Sequence, residues 1–335
     1  MSMEEQKRCI LCKKEGSLLY RNVEDRLFGI PGKWDILECP KCQLAWLFPR
    51  PSKEELLSFY PENYHTHQGK SAFQVDEFKK DRSKVAILQR YGYYKEMPLS
   101  IRDSLRVLLY GAFLQHRIGR KIRWLKAVPG GCLLDIGCGN GTFLYRMKEL
   151  GWEVVGVDPD PDAVAIANKF GLNVILGTVE EAEFANASFA AITMNHVIEH
   201  VTDPMSLLKE CHRIMRPAGQ LVIVTPNVRS LGHIFFGRNW LDWDVPRHLF
   251  IFSTKSLKIC VEQAGFKIRR VYTDAKRARR VWTASKTIKR TYLKNGKPHN
   301  LSLKDKMQAL TFQLLESMLN KFFRIGEEII LVAEK

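Results

Sequence analysis

CLLDIGCGNGTFLYRMKELGWEVVGVDP, residues 132–159, is the stretch from which the fold is read. Cys132–Ile136 is an apolar run with the length of a buried strand. It passes into Gly137, Gly139 and Gly141, and a helical pattern of Phe143, Leu144, Met147 and Leu150 begins at once. A second apolar run, Val154–Val157, stops at Asp158, 23 residues after Asp135. Strand, glycine turn, helix and a second strand ending in an acid place an adenosine-type ligand over the end of a parallel sheet. Glycines admit the ligand where a Cβ would collide, and a helix N-terminus offers N–H groups to an anion. Asp158 can accept hydrogen bonds from both ribose hydroxyls. A glycine turn alone is also a common structural device; the flanking strand, helix and acid together favour a nucleoside site. A dinucleotide needs the spacing G-x-G-x-x-G, and Thr142 stands where the third glycine would fall.

Further along lie GTVEEAEF (177–184), NHVIEHVTDP (195–204), RPAGQLVIVTPN (216–227) and DVPRHLFIFS (244–253). In this order, and with DIGCGNG and GVDP, they resemble the motifs of class I S-adenosylmethionine (SAM) dependent methyltransferases. The match looks most like the bacterial branch that modifies sugars, glycans and related small metabolites. The resemblance implies an α/β fold with a Rossmann-like, seven-stranded sheet and helices on both faces. The sheet should be mostly parallel, with a last antiparallel strand, EEIILVAE (327–334), inserted beside its neighbours. It also implies roles. Gly137, Cys138, Gly139 and Asn140 would line the methionine part of SAM, and Asp135 would organise the turn and the ligand's ammonium. Asp158, followed by Pro159, would hold the ribose. Thr178, Val179 and Glu180 would lie along the adenine edge, and Asn195, with His196 beside it, near the sulfonium. Phe189–Ala190 departs from the family's usual Phe-Asp, and Ala218 and Gln220 flank Gly219 where Gly-Gly is common; both lie off the methyl-transfer centre.

Cys9-x-x-Cys12 and Cys39-x-x-Cys42 are two knuckles separated by 26 residues. Each can set two thiolates on one edge of a tetrahedral Zn²⁺, with a hairpin bringing the pairs together. Unrelated buried cysteines and a redox pair are the other readings. Four thiolates leave no open position, so such a zinc is structural. Leu18–Tyr20 and Trp34–Leu37 supply short strands, with Gly29–Gly32 as the turn between them. CILCKKEG and LECPKCQLAW resemble the zinc ribbon that precedes the methyltransferase domain in a subset of the family. There a small residue usually follows the knuckle cysteine, and Lys13 and Gln43 depart from that. Cys132, Cys138, Cys211 and Cys260 read as small core residues.

These signals divide the chain into a zinc ribbon (1–50), a helical linker or lid (51–129) and the methyltransferase domain (130–335) with a basic helical insertion at about 275–325. In the linker, Ser52 and Glu55 have capping-box spacing, and helices are expected at about 73–95 and 99–127. Tyr60, Tyr64, His65 and His67 form a polar-aromatic cluster between them. In the last domain, strands are expected at 132–136, 153–158, 173–177, 189–195, 219–225, 266–273 and 328–334, and the plainest helices at Asp162–Lys169 and Asp203–Met215. Pro161 and Pro204 suit helix starts.

Methyl transfer is an in-line displacement at a sulfonium, and alignment alone supplies about 7–11 kcal/mol. A base is needed only when the acceptor is a neutral hydroxyl. The candidates are His196, Glu199, His200 and His248. His196 and His200 would share a face if their turn is helical. A zinc-peptidase motif needs Glu directly after the first His, and Val197 stands there. Glu199 and His200 match a sequence common across acceptors, which points to upkeep of the site. His248 lies beside Trp240, Asp242, Trp243, Asp244 and Arg247, in the loop where relatives bind acceptors, and is the preferred base.

The net charge is +16. From Ala275 to Lys304 there are ten Lys or Arg and no acid; from Pro98 to Ala127 there are seven against Asp103, around the apolar run 105–114. Met307, Leu310, Leu314, Met318, Phe322 and Ile325 recur at helical spacing and read as a core-facing stripe. The basic run suits an anionic membrane surface or RNA phosphate. The acceptor is therefore expected to be a saccharide, a lipid-linked glycan precursor or a related small metabolite, with RNA as the alternative. A non-catalytic SAM-binding partner is the third possibility. Against RNA, the ribbon lacks aromatic-basic alternation, and TPNV has Asn227 where a base-flipping enzyme needs an aromatic. With no run of 18 apolar residues and no apolar core in MSMEEQKRC, the chain is expected to be cytoplasmic, at most peripheral to the membrane.

Overall fold

A computed structural model describes residues 3–60, 81–101, 103, 111, 115–291, 293 and 301–335. Tyr64, His65, His67 and most of the apolar run 105–114 fall outside the described residues. The chain forms two compact units. One comprises Met1–Tyr64, Asn195–Lys209 and Ile223–Leu331, and the other His65–Met194, Glu210–Val222 and Val332–Lys335.

The strands are β1 (Ser17–Val23), β2 (Trp34–Glu38), β3 (Ala45–Phe48), β4 (Cys132–Ile136), β5 (Glu153–Asp158), β6 (Asn173–Leu176), β7 (Phe189–Asn195), β8 (Met215–Pro226), β9 (Phe250–Ile251), β10 (Lys267–Asp274) and β11 (Glu328–Glu334). Seven form one sheet in the order β10-β11-β8-β7-β4-β5-β6. β4, β7, β5 and β6 pair in parallel, with Asp135 level with Gly156 on one side and Thr193 on the other. Parallel register brings the carboxyl ends of these strands to one edge, where such sheets bind ligands. β11 runs against β8: Ala218 and Gly219 bond to Lys335, and Asn227 bonds to Glu327, so one chain ascends as the other descends. The inserted antiparallel strand is thus present. β8 begins four residues earlier than its apolar core, because Met215–Ala218 continues the ladder toward Lys335.

Helix starts follow local chemistry. Asp160 accepts from the N–H groups of Asp162 and Ala163 ahead of the helix Pro161–Lys169, whose first residue has no N–H to lose. Ser52 and Glu55 make the expected reciprocal capping bonds, at 3.2 and 2.8 Å. Under the sheet in the second unit, Ile87, Leu88, Ile122, Leu125, Leu133 and Met147 form the core. Trp152 donates its ring N–H to the Tyr93 hydroxyl at 2.9 Å, which donates in turn to the Leu125 carbonyl at 3.2 Å. Both buried polar groups are therefore satisfied.

β1, β2, β3 and β9 make a second, four-stranded sheet within the first unit. β3 and β9 had no counterpart in the expected strands. Ala45 and Trp46 pair with Ile251 and Phe250, so the ribbon's arm is completed by a strand about two hundred residues away in the chain.

The segment after β7 is a tight turn, so the condition for His196 and His200 to share a helical face is not met: His196 has φ +57°, its N–H bonds the Val224 carbonyl, and His200 N–H bonds Val197. The expected core-facing stripe is overturned. The stripe on the helix Leu303–Phe323 faces outward, with Met307, Leu310, Leu314, Met318 and Phe322 all exposed. Its buried residues are Asp305, Ala309, Phe312 and Glu316. Lys286 draws Asp305 inward, at 2.6 Å, and Glu316 packs beside Glu327.

Burial, with Glu327 alongside, pushes the Glu316 carboxyl well above its ordinary 4.5. The folded protein then holds this proton more tightly than the unfolded chain does. That contribution to stability is full below about pH 4.5 and declines as the pH rises toward the elevated folded value. Glu316→Gln should therefore gain stability relative to the native protein as the pH is raised from 5 to 9. Melting curves at several pH values test this, and a pH-independent difference would refute it.

Candidate functional site

Asp135, at the end of β4, is fully buried. Its Oδ1 accepts from the Thr193 hydroxyl at 2.8 Å and from the Arg123 guanidinium, which also bonds Thr193 at 2.8 Å. Arg123 lies over the Phe143 ring at 3.8 Å. Burial raises the Asp135 pKa, and Arg123 opposes that rise without cancelling it. The other oxygen, Oδ2, is buried and has no hydrogen-bond partner among the described residues. A buried acceptor without a donor is costly. It suits a ligand that brings an N–H⁺.

The loop between β4 and the helix Thr142–Glu149 closes over this point. Gly137 and Gly139 have φ of +66° and +53°. A Cβ at Gly139 would meet nothing within 4 Å, so this side of the backbone is open to a ligand. Asn140 spends its side-chain carbonyl on Thr142, accepting from its N–H and hydroxyl. Cys138 is buried, its thiol pKa raised by burial. A Cβ on Gly156 would come within 2.5 Å of the Cys138 sulfur, so these two small residues seat the loop on β5. At the end of β5, Asp158 accepts from the N–H of Gly139 at 2.7 Å and of Asp160 at 3.0 Å, one on each oxygen. Each oxygen keeps a lone pair for a ribose hydroxyl. After β6, Thr178 and Glu181 cap each other, Val179 is buried and Glu180 is exposed. Pro159 is exposed. The unfilled Asp135 oxygen, the open Gly139 face and Asp158 fit the ammonium, backbone and ribose of SAM.

Asn195 and His196 belong to the other unit, as do all the candidate bases. His196 bridges two carboxylates, Nδ1 to Glu199 at 3.0 Å and Nε2 to Glu328 at 2.8 Å. Burial and Arg277 act to lower its pKa, but the two carboxylates prevail and raise it. With both nitrogens engaged, His196 is a clamp and has no free lone pair. Glu199 is fully buried, yet His196 holds its pKa down to about 2, and Thr225 bonds its second oxygen at 2.9 Å. A carboxylate that acidic is a poor base. Burial, then the neighbouring His248, pushes His200 down to about 4. His248 lies with its ring 4.6 Å from that of His200. Its Nδ1 stands 2.7 Å from the Asp242 carbonyl, which can only accept, so Nδ1 carries a hydrogen, and Nε2 is the nitrogen that holds the lone pair when the ring is neutral. Asp244 Oδ2 is 3.8 Å from that Nε2. Within this unit, then, Glu199, His200 and His248 converge, their nearest ligand-type atoms within 4.8 Å of one another.

The loop carrying His248 is fastened by Arg247, which is fully buried. It forms a two-pronged pair with Asp25 at 2.9 and 3.0 Å and bonds Asp244 at 2.8 Å. Asp25 also accepts from the N–H groups of Leu27, Phe28 and Ile30 and so shapes the turn between β1 and β2.

The four knuckle cysteines come together. Cys9 and Cys42 sulfurs are 3.4 Å apart, Cys12 and Cys39 3.2 Å, and Cys12 and Cys42 4.0 Å. A tetrahedron of thiolates around zinc has sulfur–sulfur edges of about 3.8 Å, given bonds of about 2.3 Å. The two knuckles repeat one geometry: Lys13 and Gln43 N–H groups bond the Cys9 and Cys39 carbonyls, both at 2.9 Å, with φ of +57° and +63°. These are the positions where a small residue is usual, and here the left-handed turn is made without one. The donor set and its spacing fit a structural Zn²⁺.

Sequence reasoning missed Arg123, Asp25 and Glu328. Each meets its partner only through the fold; Glu328 lies in the expected last strand, and Arg123 and Asp25 lie in no motif.

The sheet order and the nucleoside corner are those of the class I SAM-dependent methyltransferase fold. Residues 110–271 match the family model described as a methyltransferase domain. The ubiquinone biosynthesis O-methyltransferase of Xanthomonas oryzae pv. oryzae is 34% identical over 107 residues, 30% of this chain and 45% of that protein. Its namesake in Azorhizobium caulinodans is 29% identical over 161 residues, 46% of this chain and 64% of that protein. The chain thus spans about half the length of the curated relatives it matches. A SAM dependent methyltransferase from Archaeoglobus fulgidus aligns with a TM-score of 0.43 and 23% identity, over 70% of this chain and 100% of that one.

Asp158→Ala removes the acceptor expected to meet the ribose, where each charge-assisted hydrogen bond is worth about 1.5–3 kcal/mol. Calorimetry should show SAM affinity reduced at least tenfold, with the fold retained by circular dichroism. Undiminished affinity would remove Asp158 from the site.

Proposed function

We propose that the chain transfers a methyl group from SAM to a hydroxyl of a saccharide, a lipid-linked glycan precursor or a related small metabolite. The observation that carries this reading is the nucleoside corner, where Asp158 and the partnerless Asp135 oxygen flank the open Gly139 backbone. The two relatives named above are called O-methyltransferases, which favours an oxygen acceptor. When bound, SAM would supply an activated methyl on a sulfonium. His248 Nε2 would take the proton of the acceptor hydroxyl, and Asp244, at 3.8 Å, would offset the charge on the ring. The RNA alternative is weakened at Asn227, which is buried and occupied with the Gly326 carbonyl at 2.9 Å and the Arg229 N–H at 3.0 Å.

His248→Gln should lower turnover by about 10²–10⁴-fold, the usual worth of a general base, and leave SAM affinity unchanged. The assay follows labelled methyl from SAM into a panel of nucleotide sugars, lipid-linked saccharides and total RNA. Labelling of RNA alone would establish the nucleic-acid reading, and undiminished turnover in the variant would release His248 from its role.

We also propose that Cys9, Cys12, Cys39 and Cys42 hold one structural Zn²⁺. Elemental analysis of the purified protein should find one zinc per chain, and Cys39→Ser should lose it together with thermal stability. Full zinc content in that variant would contradict the ligand set.

A further inference from the structure

The helix Leu303–Phe323 is turned inside out. Its acids, Asp305 and Glu316, are buried, while Leu303, Met307, Leu310, Leu314, Met318 and Phe322 are between 45% and 77% exposed. These six fall at spacings of three and four, one stripe along a helix of 21 residues, about 30 Å at 1.5 Å per residue. Lys304, Lys306 and Lys321 are the charged side chains the helix exposes, and both of its acids are buried. Next to it packs the helix Ala278–Arg290, which exposes Arg279, Arg280, Lys289 and Arg290. Within the basic run Arg277 pairs with Asp242 at 2.7 Å and Lys286 with Asp305 at 2.6 Å, and Arg279, Lys289 and Arg290 are exposed.

We propose that this face is a membrane-docking surface, with the apolar stripe lying in the interface of an anionic bilayer and the lysines and arginines among its headgroups. Large apolar side chains in a continuous exposed row mark a surface that something covers. A row of Leu, Met and Phe flanked by cations is the pattern of a helix lying in the membrane plane. Charge decides between occupants. A second copy packed stripe to stripe, parallel or antiparallel, would bring Lys304, Lys306 and Lys321 against one another with no exposed acid on the helix to pair them. Acidic headgroups supply the missing counter-charge. Insertion does not mean spanning: no helix among the described residues is long and apolar enough to cross a membrane. The inference stands apart from the catalytic reading, since it uses no residue of the nucleoside corner or of the His248 loop.

The test is co-sedimentation of the full chain with vesicles of phosphatidylcholine alone or with 30% phosphatidylglycerol added. The protein should pellet with the anionic vesicles only. Leu314→Asp with Phe322→Asp should weaken this at least tenfold, and so should Lys304→Gln, Lys306→Gln and Lys321→Gln together. The second set leaves every apolar contact in place, so a folding defect in the first does not decide the matter. Equal binding to both vesicles, binding to neither, or a dimer that the Asp pair dissociates would each overturn the proposal.

Discussion

Arg247 is the interaction on which the first unit turns. A guanidinium with no exposure is expensive unless it is matched, and here it is held by Asp25, Asp244 and the Phe59 carbonyl, with the Phe28 ring 4.8 Å away. Losing one partner of such a pair costs about 3–5 kcal/mol, because the other charge stays buried alone. The pair also joins two loops that have separate tasks. Asp25 shapes the turn between β1 and β2, and Asp244 begins the turn that presents His248. One ion pair thus fixes both the ribbon's hairpin and the loop assigned to the acceptor.

Asp135 does similar work in the second unit. Its burial is tolerable because Arg123 and Thr193 satisfy one oxygen, and the other has no partner among the described residues. Arg123 sits at a positive φ of +48°, where a side chain is strained. The motif residues provide the shape of the corner, and an arginine outside any motif provides its electrical balance.

Much of this was legible in the order of residues. β4, β7 and β11 begin and end where the apolar runs do, and the cysteine spacing alone predicted the cluster. What stayed hidden depends on distance in the chain. Glu328 reaches His196 across 132 positions, and Asp25 reaches Arg247 across 222. No local pattern encodes such partners. The helix Leu303–Phe323 shows a different limit. Periodicity shows that a helix has two faces and leaves open which of them turns inward. Here the buried face carries Asp305, paired with Lys286 of another helix, and Glu316.

The pairing of β3 with β9 bears on how this protein can be divided. β9 lies two residues beyond His248, and β3 lies three residues beyond Cys42. The Ser253 hydroxyl adds a bond to the Cys42 carbonyl at 3.2 Å. A fragment starting near residue 130 would keep every cofactor motif and lose the neighbour of β9. It would carry an unpaired strand edge, an exposed Phe250 and an Arg247 stripped of Asp25, a combination that favours aggregation. The ribbon is therefore less an appendage than the missing wall of the loop that holds His248.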